Sequence, residues 1–579
     1  MEKIKLTIDG VAAEVDPGTT VLEAARSIGV RIPTLCYLKG VNEIGACRMC
    51  VVDVGGRALQ AACVLPVSPN MAVKTSTPAI REARKTNLEL LLSTHDKKCL
   101  SCSRSQNCEL QRLCKELGVE DGDRFKGVQN VYEVDDLSPS IVRDNNKCIV
   151  CRRCVAACAK VQNVSVIGPV GRGFKTQIAS PWSKSLSETA CINCGQCIQA
   201  CPVGALREKD DTDEVWKLLS DPTKHVVVQP APAVRVAIGE EFGMPMGSRV
   251  TGKLAAALRR IGFDRVFDTD FAADLTIMEE AHEFLHRVKN GGVLPMITSC
   301  SPGWVKYCET FYPEFIPNLS TCKSPHEMAG ALIKSYYAQK AGIDPKDIAV
   351  VSVMPCTAKK FEAKRPELSN AGLQDVDAVI TTRELARMLK EAGIEFERLP
   401  DEDFDPLMGE STGAGAIFGA TGGVMEAALR TAYEALTGET LERLEFKGVR
   451  GLDGIKEDTI HIGDLDVNVA VAHSTGMAAK LLDMIKRGEK QLHFIEIMGC
   501  PGGCVNGGGQ PIVPADVRAR VNPAQVRAAG LYGEDESKAV RKSHENPEIK
   551  QVYSEFLGEP NSHKAHELLH THYNARLQY

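Results

Sequence analysis

The sequence lacks the long apolar runs and the one-sided charge that mark membrane and nucleic-acid-binding proteins. No stretch approaches the roughly 18 apolar residues of a transmembrane helix, and the first residues, MEKIKLTIDG, contain no apolar signal region. Acidic and basic residues are interspersed, with a formal net charge of -6 over 579 residues, so no basic patch for nucleic acid is expected. We therefore expect a multidomain, globular, cytoplasmic protein with neither a membrane nor a nucleic acid as partner.

Cysteine is abundant, with 22 residues. Without a secretory signal, so many cysteines favour metal sites over a disulfide framework. Most fall in tight groups at 36–63, 99–114 and 148–201, and a dispersed set lies between 300 and 504. This grouping predicts several metal sites in the first two hundred residues and a separate one in the rest of the chain.

Residues 1–79 are predicted to form a small domain of sheet and helix. Alternating apolar residues on either side of Asp9-Gly10 predict a hairpin, and Thr19 or Thr20 can cap the helix that follows. Four cysteines come after this helix, and four soft thiolates are suitable ligands for a 2Fe-2S cluster, with a structural zinc ion as the alternative. The candidate ligands are Cys36, Cys47, Cys50 and Cys63.

Residues 80–140 carry a second candidate site in the order H-x3-C-x2-C-x5-C. Three closely following cysteines make the histidine a candidate ligand, and a neutral imidazole in place of a thiolate should raise the potential of an iron-sulfur cluster. Cys114 lies outside this pattern and is expected to be a packed or free thiol. The candidate ligands are His95, Cys99, Cys102 and Cys108.

Residues 141–209 contain two copies of C-x2-C-x2-C-x3-C, which is typical of a module with two 4Fe-4S clusters. In such modules the fourth cysteine of each run ligates the other cluster. One expected ligand set is therefore Cys148, Cys151, Cys154 and Cys201, and the other is Cys158, Cys191, Cys194 and Cys197.

From residue 210 to 579, alternating strand and helix patterns predict a large α/β domain. Cys300, Cys356 and the pair Cys500 and Cys504 each follow a predicted strand, so they are expected to meet beyond the strand ends, where α/β sheets build sites. The alternative is that they are core thiols, as we expect for the remaining cysteines of this region. The predicted strands span 225–229, 293–298, 349–354, 467–472 and 493–498.

Three segments of this region resemble the signatures of FeFe-hydrogenases, namely TSCSPGW at 298–304, MPCTAKKFE at 354–362 and EIMGCPGGCVNGGGQP at 496–511. The N-terminal modules resemble those of the same enzymes and of the large iron-sulfur subunit of respiratory complex I. The resemblance implies a multidomain α+β protein: a ferredoxin-like (β-grasp) 2Fe-2S domain, a histidine-ligated 4Fe-4S domain, a two-4Fe-4S ferredoxin domain and an α/β catalytic domain. A small-subunit-like segment is expected from about residue 515 to 579.

In that family the catalytic domain holds the H-cluster, a 4Fe-4S cube joined through a shared cysteine sulfur to a di-iron unit with carbonyl, cyanide and a bridging dithiolate amine. The resemblance implies that Cys356, Cys500 and Cys504 are ligands, with Cys504 as the bridge. Lys359 would offer a cation to a cyanide ligand. The other implied pocket residues are Ala231, Pro232, Met354, Phe418 and Met498.

The first signature departs from the family, which has two adjacent cysteines, one ligating the cube and one handling protons. This chain has Cys300 followed by Ser301. The preference of a cube for thiolates favours Cys300 as the ligand and Ser301 as a proton donor. Strict alignment instead makes Cys300 the proton donor and leaves Ser301 at the ligand position. We favour Cys300 as the ligand on chemical grounds.

A proton route is also implied by the resemblance. Glu280 and Glu283 lie three residues apart on one face of a predicted helix, and the sequence alone predicts that they are solvated. In the family, glutamates at these positions and a serine matching Ser320 carry protons to the pocket.

The resemblance predicts an enzyme that reversibly interconverts hydrogen with protons and electrons in anaerobic metabolism. Its partners would be ferredoxin, a flavin and NAD(P)H subunit of an electron-bifurcating complex, or both. Two alternatives are a non-catalytic electron-transfer subunit of the complex I kind and a hydrogen sensor. The glycine-rich run 413–423 does not match a dinucleotide motif and is expected to serve close packing. The four histidines of the C-terminal HKAHELLHTHY are expected on a solvated helix face.

Overall fold

The N-terminal part of the chain folds as the alternating pattern predicts. The structure, a computed structural model, describes residues 2–120, 123–125, 127–441, 443–462 and 465–578. Strands β1 (Ile4–Ile8) and β2 (Val11–Val15) form the expected hairpin, and Thr20 caps helix α1 (Val21–Ser27) by accepting the Glu23 amide. The other strands of this part are β3 (Val51–Val52), which pairs with β4 (Gln60–Ala61), and β5 (Ala72–Val73), which runs parallel to β1.

The middle of the chain consists of short elements joined by cysteine-bearing loops. Pro78 at the first helical position and the Thr77 cap begin its longest helix. An antiparallel pair of strands joins the beginning of the two-cluster module to its end. The elements are α2 (Pro78–Leu92), α3 (Glu109–Leu117), β6 (Ile141–Arg143), α4 (Arg153–Ala156), β7 (Gly168–Val170), β8 (Gln177–Ala179), α5 (Gln196–Ala200) and β9 (Leu206–Glu208).

The remainder of the chain is built on two four-stranded sheets. The first is entirely parallel, in the order β11 (Arg265–Val266), β10 (His225–Pro230), β13 (Ile348–Met354) and β16 (Ala378–Thr381). The second has the order β12 (Met296–Ile297), β19 (Phe494–Met498), β18 (Leu465–His473) and β17 (Ile455–Ile462), in which only β17 is antiparallel to its neighbour. A two-stranded hairpin of β14 (Ser369–Asn370) and β15 (Leu373–Gln374) lies between β13 and β16 in sequence.

Four of the five strands predicted for this region are confirmed to within two residues. The fifth, expected over 293–298, is reduced to Met296–Ile297. Pro295 has no N–H to donate to a ladder, and β12 lies at the edge of its sheet, where a proline before a short strand is tolerated.

The helices cover both sheets, and α8 is the long central one, packed against α10, α14 and α15. Within the described residues, no helix has the combination of length and apolarity required to cross a bilayer. The helices are α6 (Thr212–Ser220), α7 (Thr251–Ile261), α8 (Thr269–Asn290), α9 (Pro302–Phe311), α10 (Pro325–Leu332), α11 (Ala338–Ala341), α12 (Lys359–Glu362), α13 (Thr382–Glu391), α14 (Gly413–Ala416), α15 (Gly423–Thr437), α16 (Thr475–Lys486), α17 (Ala515–Arg518), α18 (Pro523–Ser537), α19 (Pro547–Val552) and α20 (His563–Leu569).

The glycine-rich run 413–423 lies at a close contact between α14 and α18. A Cβ atom on Gly419 would lie 2.5 Å from Leu531 Cδ1, and Gly422 has φ +91°. The expected role of this run in close packing is confirmed.

Candidate metal centre and active site

Cysteines from three distant segments meet beyond the ends of strands from both sheets. Cys300 follows β12, Cys356 follows β13, and Cys504 lies in the loop after β19. All three border one cavity, which contains about 560 Å³ not filled by protein atoms. Its lining consists of Ala231, Pro232, Thr269, Ala273, Cys300, Ser301, Pro325, His326, Met354, Pro355, Cys356, Lys359, Phe418, Gly419, Met498 and Cys504.

The thiols of this cavity fit a metal cluster. Burial, followed by the neighbouring Cys356, raises the pKa of Cys504 to about 12 and that of Cys500 well above its usual range. Burial also raises the pKa of Cys356. Thiolates at such positions are unfavourable unless a bound cation supplies positive charge, and metal binding is the ordinary way to supply it.

The wall of the cavity is largely apolar, with the polar side chains of Thr269, Ser301 and His326 beside its charged group, Lys359. Its Nζ donates to Glu362 Oε2 at 2.6 Å and to the Cys300 carbonyl at 3.2 Å. Although burial opposes it, the charge of Lys359 and a hydrogen bond from His326 lower the pKa of Glu362 to about 2. Sequence reasoning missed His326, which lies 2.8 Å from Glu362 and borders the cavity, because no motif marks it.

Cys300 and Ser301 face different surroundings. The charged groups and thiols that interact with Cys300 include Glu280, Cys504 and Lys359. Ser301 Oγ instead accepts a hydrogen bond from the Gly499 amide at 3.0 Å, one residue before Cys500.

Glu280 and Glu283 both lie on α8, but only Glu283 is near the surface. The expectation from sequence alone that both are solvated is wrong for Glu280, which has 0% of its surface exposed because α8 is covered by other helices. Burial, followed by the charge of Glu283, raises the pKa of Glu280 to about 8. Glu283 accepts hydrogen bonds from Ser320 Oγ at 2.9 Å and from Arg287 at 2.6 Å.

The structure also brings together cysteines of the N-terminal modules. Cys36 interacts with Cys47 and Cys63, and Cys63 interacts in turn with Cys50. Two further small cavities are each bordered by four thiols from both halves of the two-cluster module. The thiols are Cys148, Cys151, Cys154 and Cys201 in one, and Cys158, Cys191, Cys194 and Cys197 in the other.

Around His95 the arrangement is looser. His95 Nδ1 is buried and has no hydrogen-bond partner among the described residues, which fits a metal ligand. Cys108 and Cys102 interact, and Cys114 lies near both Cys108 and Cys99, so the thiol outside the spacing pattern is a neighbour of this site.

Comparison with known families agrees with this geometry. Residues 224–508 match the C-terminal domain of the iron-only hydrogenase large subunit, and residues 522–576 match the iron hydrogenase small subunit. The N-terminal matches are a 2Fe-2S iron-sulfur cluster binding domain at 1–78, the NADH-ubiquinone oxidoreductase-G iron-sulfur binding region at 84–123, and the ferredoxin-like domain of NADH-quinone oxidoreductase subunit 3 at 138–207. A curated relative, the NADP-reducing hydrogenase subunit HndD of Solidesulfovibrio fructosivorans, is 50% identical over the full length of both chains. The chain belongs to the iron hydrogenase family.

Two further relatives extend this relationship. Iron hydrogenase 1 of Clostridium pasteurianum is 46% identical over 98% of this chain and 99% of its own length. The solved structure of the apo FeFe-hydrogenase HydA1 of Chlamydomonas reinhardtii, in a variant form, is 47% identical with a TM-score of 0.57, covering 63% of this chain and 99% of that one. This hydrogenase is therefore an oxidoreductase with 2Fe-2S and 4Fe-4S ferredoxin-like domains and a catalytic domain of the H-cluster-bearing kind.

In this hydrogenase the two-cluster module directly contacts the segment 499–511, which carries Cys500 and Cys504 and is called the catalytic loop below. A Cβ atom on Gly508 would lie 2.5 Å from the Cys194 carbonyl, and one on Gly195 would lie 2.8 Å from Gly508 Cα. Two glycines thus let the Cys194 loop approach the segment that carries Cys500, and the thiols of Cys194 and Cys500 interact.

The two N-terminal modules, residues 1–79 and 80–140, both contact segments that border the cavity of Cys151 and Cys201. Asn42, which is buried, donates to the carbonyls of Cys36 at 2.7 Å and Cys151 at 3.0 Å. The amide of Glu109, next to Cys108, donates to the Pro202 carbonyl at 3.0 Å.

The C-terminal histidines are not all solvated. His563, His566 and His572 are exposed, but His570 is 8% exposed and forms hydrogen bonds with Glu279 and Thr321. The expectation of a solvated face is wrong for His570 because it lies just past α20, where the chain pairs with Cys322 in a β-bridge.

Proposed function

We propose that this hydrogenase reversibly interconverts hydrogen with protons and electrons at an H-cluster held by Cys356, Cys500 and Cys504, with Cys504 as the bridging ligand. The observation that carries the proposal is the convergence of these thiols from distant strand ends beside one largely apolar cavity. When bound, the cluster supplies the site at which two protons and two electrons combine. The protein holds it, excludes water and delivers protons and electrons.

Infrared spectroscopy of the matured protein tests this function. Iron-bound carbonyl and cyanide absorb where no amino acid does, so their bands should appear in the wild type and disappear in Cys504→Ala. A Cys114→Ala variant, which removes a thiol outside the cavity, should retain them. A fully matured wild type without these bands would refute the proposal.

At positions 300 and 301 we propose that Cys300 is the proton donor and that Ser301 occupies the ligand position. This assignment is the opposite of the one that the preference of a cube for thiolates favours. The neighbours of Cys300 include Glu280 and Lys359 as well as Cys504, and the position between a carboxyl group and the cavity supports a role as the proton donor. Ser301 bonds to Gly499 beside Cys500, which supports a place for its oxygen at the cube.

We propose that protons move between Glu283, Ser320, Glu280 and Cys300. The Ser320 hydroxyl lies 2.9 Å from Glu283, and the raised pKa of Glu280 lets it both accept and release a proton near neutral pH. Each of these groups can pass a proton to the next group along the route and then take up another.

We further propose four accessory clusters. The 2Fe-2S cluster would use Cys36, Cys47, Cys50 and Cys63. The three 4Fe-4S clusters would use His95 with Cys99, Cys102 and Cys108; Cys148, Cys151 and Cys154 with Cys201; and Cys158 with Cys191, Cys194 and Cys197. The shared cavities and mutual contacts of these thiols support the sets.

The contacts between modules support a branched chain of clusters for electron transfer, called the fork below. Asn42 links the 2Fe-2S loop to Cys151, and Glu109 links the histidine-ligated module to Pro202, so both branches would meet at the cluster of Cys148. From there Cys154 neighbours Cys197, and Cys194 neighbours Cys500.

The two ends of the fork suit two electron partners. We propose ferredoxin and NAD(P)-linked flavin subunits of a hetero-oligomeric complex, because the relative HndD is named as a subunit of an NADP-reducing hydrogenase. Co-purification from the native host tests this: NAD(P)-reducing subunits in stoichiometric amount support the complex, and a lone chain contradicts it.

A further inference from the structure

The C-terminal segment packs its buried histidine against the outer end of the proposed proton route. One ring nitrogen of His570, the thiol of Cys322 and a carboxylate oxygen of Glu283 lie within 4.8 Å of one another. One water molecule can bridge a separation of this size. The ring of His570 is in turn 4.0 Å, between centroids, from the ring of the exposed His566.

From this geometry we propose that His566 and His570 form a surface relay that exchanges protons between solvent and Glu283. In hydrogen evolution, an acid in solution protonates His566, His570 receives a proton from it, and the carboxylate of Glu283 receives one from His570. The net change is one proton lost by the external acid and one gained by Glu283. In hydrogen oxidation the same steps run in reverse.

The other contacts of Glu283 do not offer such an exchange. Arg287 covers one carboxylate oxygen, but a guanidinium stays protonated and releases no proton. The amide of Thr321 donates to the same carboxylate, while its hydroxyl lies 2.7 Å from His570 Nδ1. Glu280 lies on the inner side of the proposed route, so among the other described neighbours of Glu283 histidine is the side-chain type that exchanges protons near neutral pH.

His570 is held in a fixed orientation on both sides of its ring. Nδ1 faces the Thr321 hydroxyl, and Nε2 lies 3.0 Å from Glu279 Oε2. Glu279 is fully buried and accepts further hydrogen bonds from the Tyr553 hydroxyl and the Asn561 amide. A carboxylate behind an imidazole stabilises the imidazolium that forms during transfer.

The electrostatic surroundings of the pair favour rapid release of protons from the outer histidine. Burial, followed by the neighbouring charge of His570, lowers the pKa of His566, while Glu279 and Glu283 oppose the shift. The titratable and charged groups that face the pair are Glu279, Glu283 and Arg287 from α8, Cys322 from the loop between α9 and α10, Tyr553 from the turn after α19, and His563 from α20.

Two substitutions separate a relay from a structural role. His566→Ala removes an exposed ring, and His570→Gln keeps an amide that can hydrogen-bond to Glu279 but cannot carry a proton. His572→Ala removes an exposed histidine of the same tail and is the matched control. Hydrogen evolution with a reduced dye should fall roughly tenfold in each relay variant in dilute buffer, less than the 10²- to 10⁴-fold typical of losing a group at the reacting atoms.

Three readouts distinguish the relay from loss of packing. Imidazole added to the buffer should restore the rate of His566→Ala, the solvent isotope effect should increase, and the infrared carboxyl band of Glu283 should respond more slowly to a pH jump. Unchanged rates, isotope effects and carboxyl kinetics in both variants would show that Glu283 exchanges with solvent directly, and would overturn the relay.

The inference rests on the proton route proposed above, and a third variant separates the two. If Glu283→Gln retains full activity, the route itself is wrong. If Glu283→Gln is inactive and both histidine variants behave as the wild type, the route stands and the relay is refuted. If the iron-sulfur spectra of His570→Gln differ from those of the wild type, His570→Asn is used in its place, because it keeps the hydrogen bond to Thr321.

Discussion

The side chain of Gln162 donates a hydrogen bond to the carbonyl of Gly499 at 2.8 Å, across the contact between the two-cluster module and the catalytic loop. Gln162 is 1% exposed, and its side-chain carbonyl oxygen accepts the amide of Thr475 at 3.1 Å. Its side chain also reaches the thiol of Cys194. One buried amide therefore fixes the loop that precedes Cys500 relative to the cluster loop that would supply it with electrons.

Replacing Gln162 by Leu should slow electron delivery more than the chemistry at the cavity. The change leaves the Gly499 carbonyl and the Thr475 amide unpaired in a buried place, at a cost of about 1–3 kcal/mol for each group. We expect dye-linked hydrogen evolution to fall severalfold while hydrogen–deuterium exchange, which needs no external electrons, stays near the wild-type rate. Gln551→Leu, at an exposed position, is the control, and equal loss of both reactions would contradict the assignment.

Much of this architecture is encoded locally. The two C-x2-C-x2-C-x3-C runs predict the thiol sets because three ligands of each set lie in one short loop, and alternation predicts β1 and β2 because side-chain direction has a period of two residues. The bond between Gln162 and Gly499 joins residues 337 positions apart and depends on how two modules pack. The burial of His570 likewise follows from the docking of the C-terminal segment on Cys322, which no spacing pattern records.

Glu280 should make the stability of the protein depend on pH. Its pKa is raised from 4.5 to about 8 in the folded state, first by burial and then by Glu283. Between these values the folded protein holds a proton that the unfolded chain has lost, so the contribution of this group to stability is full below about pH 4.5 and falls as pH rises towards 8. The melting temperature of the wild type, relative to Glu280→Gln, should therefore decrease over this range.

The same variant tests the proton route. Glu280→Gln should reduce hydrogen evolution by about 10²-fold or more, since a buried amide cannot carry a proton. The electron paramagnetic resonance signals of the accessory clusters should not change. For the dependence of stability on pH, a difference in melting temperature between the wild type and Glu280→Gln that stays constant from about pH 5 to 8 would show that Glu280 is not protonated in the folded state.

Single substitutions at 300 and 301 should separate their roles. If Cys300 donates protons and Ser301 faces the cube, Cys300→Ala retains the paramagnetic signal of the catalytic cube and loses turnover. Ser301→Cys should keep the cube, and its extra thiolate should lower the cube's potential. Loss of the cube signal in Cys300→Ala, with its retention in Ser301→Ala, would reverse the assignment.

Replacing His95 by Cys should change the potential of one accessory cluster without removing it. A thiolate adds negative charge where a neutral imidazole was bound, so the reduced form becomes less favourable and the midpoint potential falls. His95→Ala should lose the cluster, because its buried Nδ1 is a candidate ligand that no described residue satisfies. Redox titration followed by electron paramagnetic resonance measures both effects, with exposed His461→Cys as the control. A cluster that keeps its potential and occupancy in both variants would show that His95 is not a ligand.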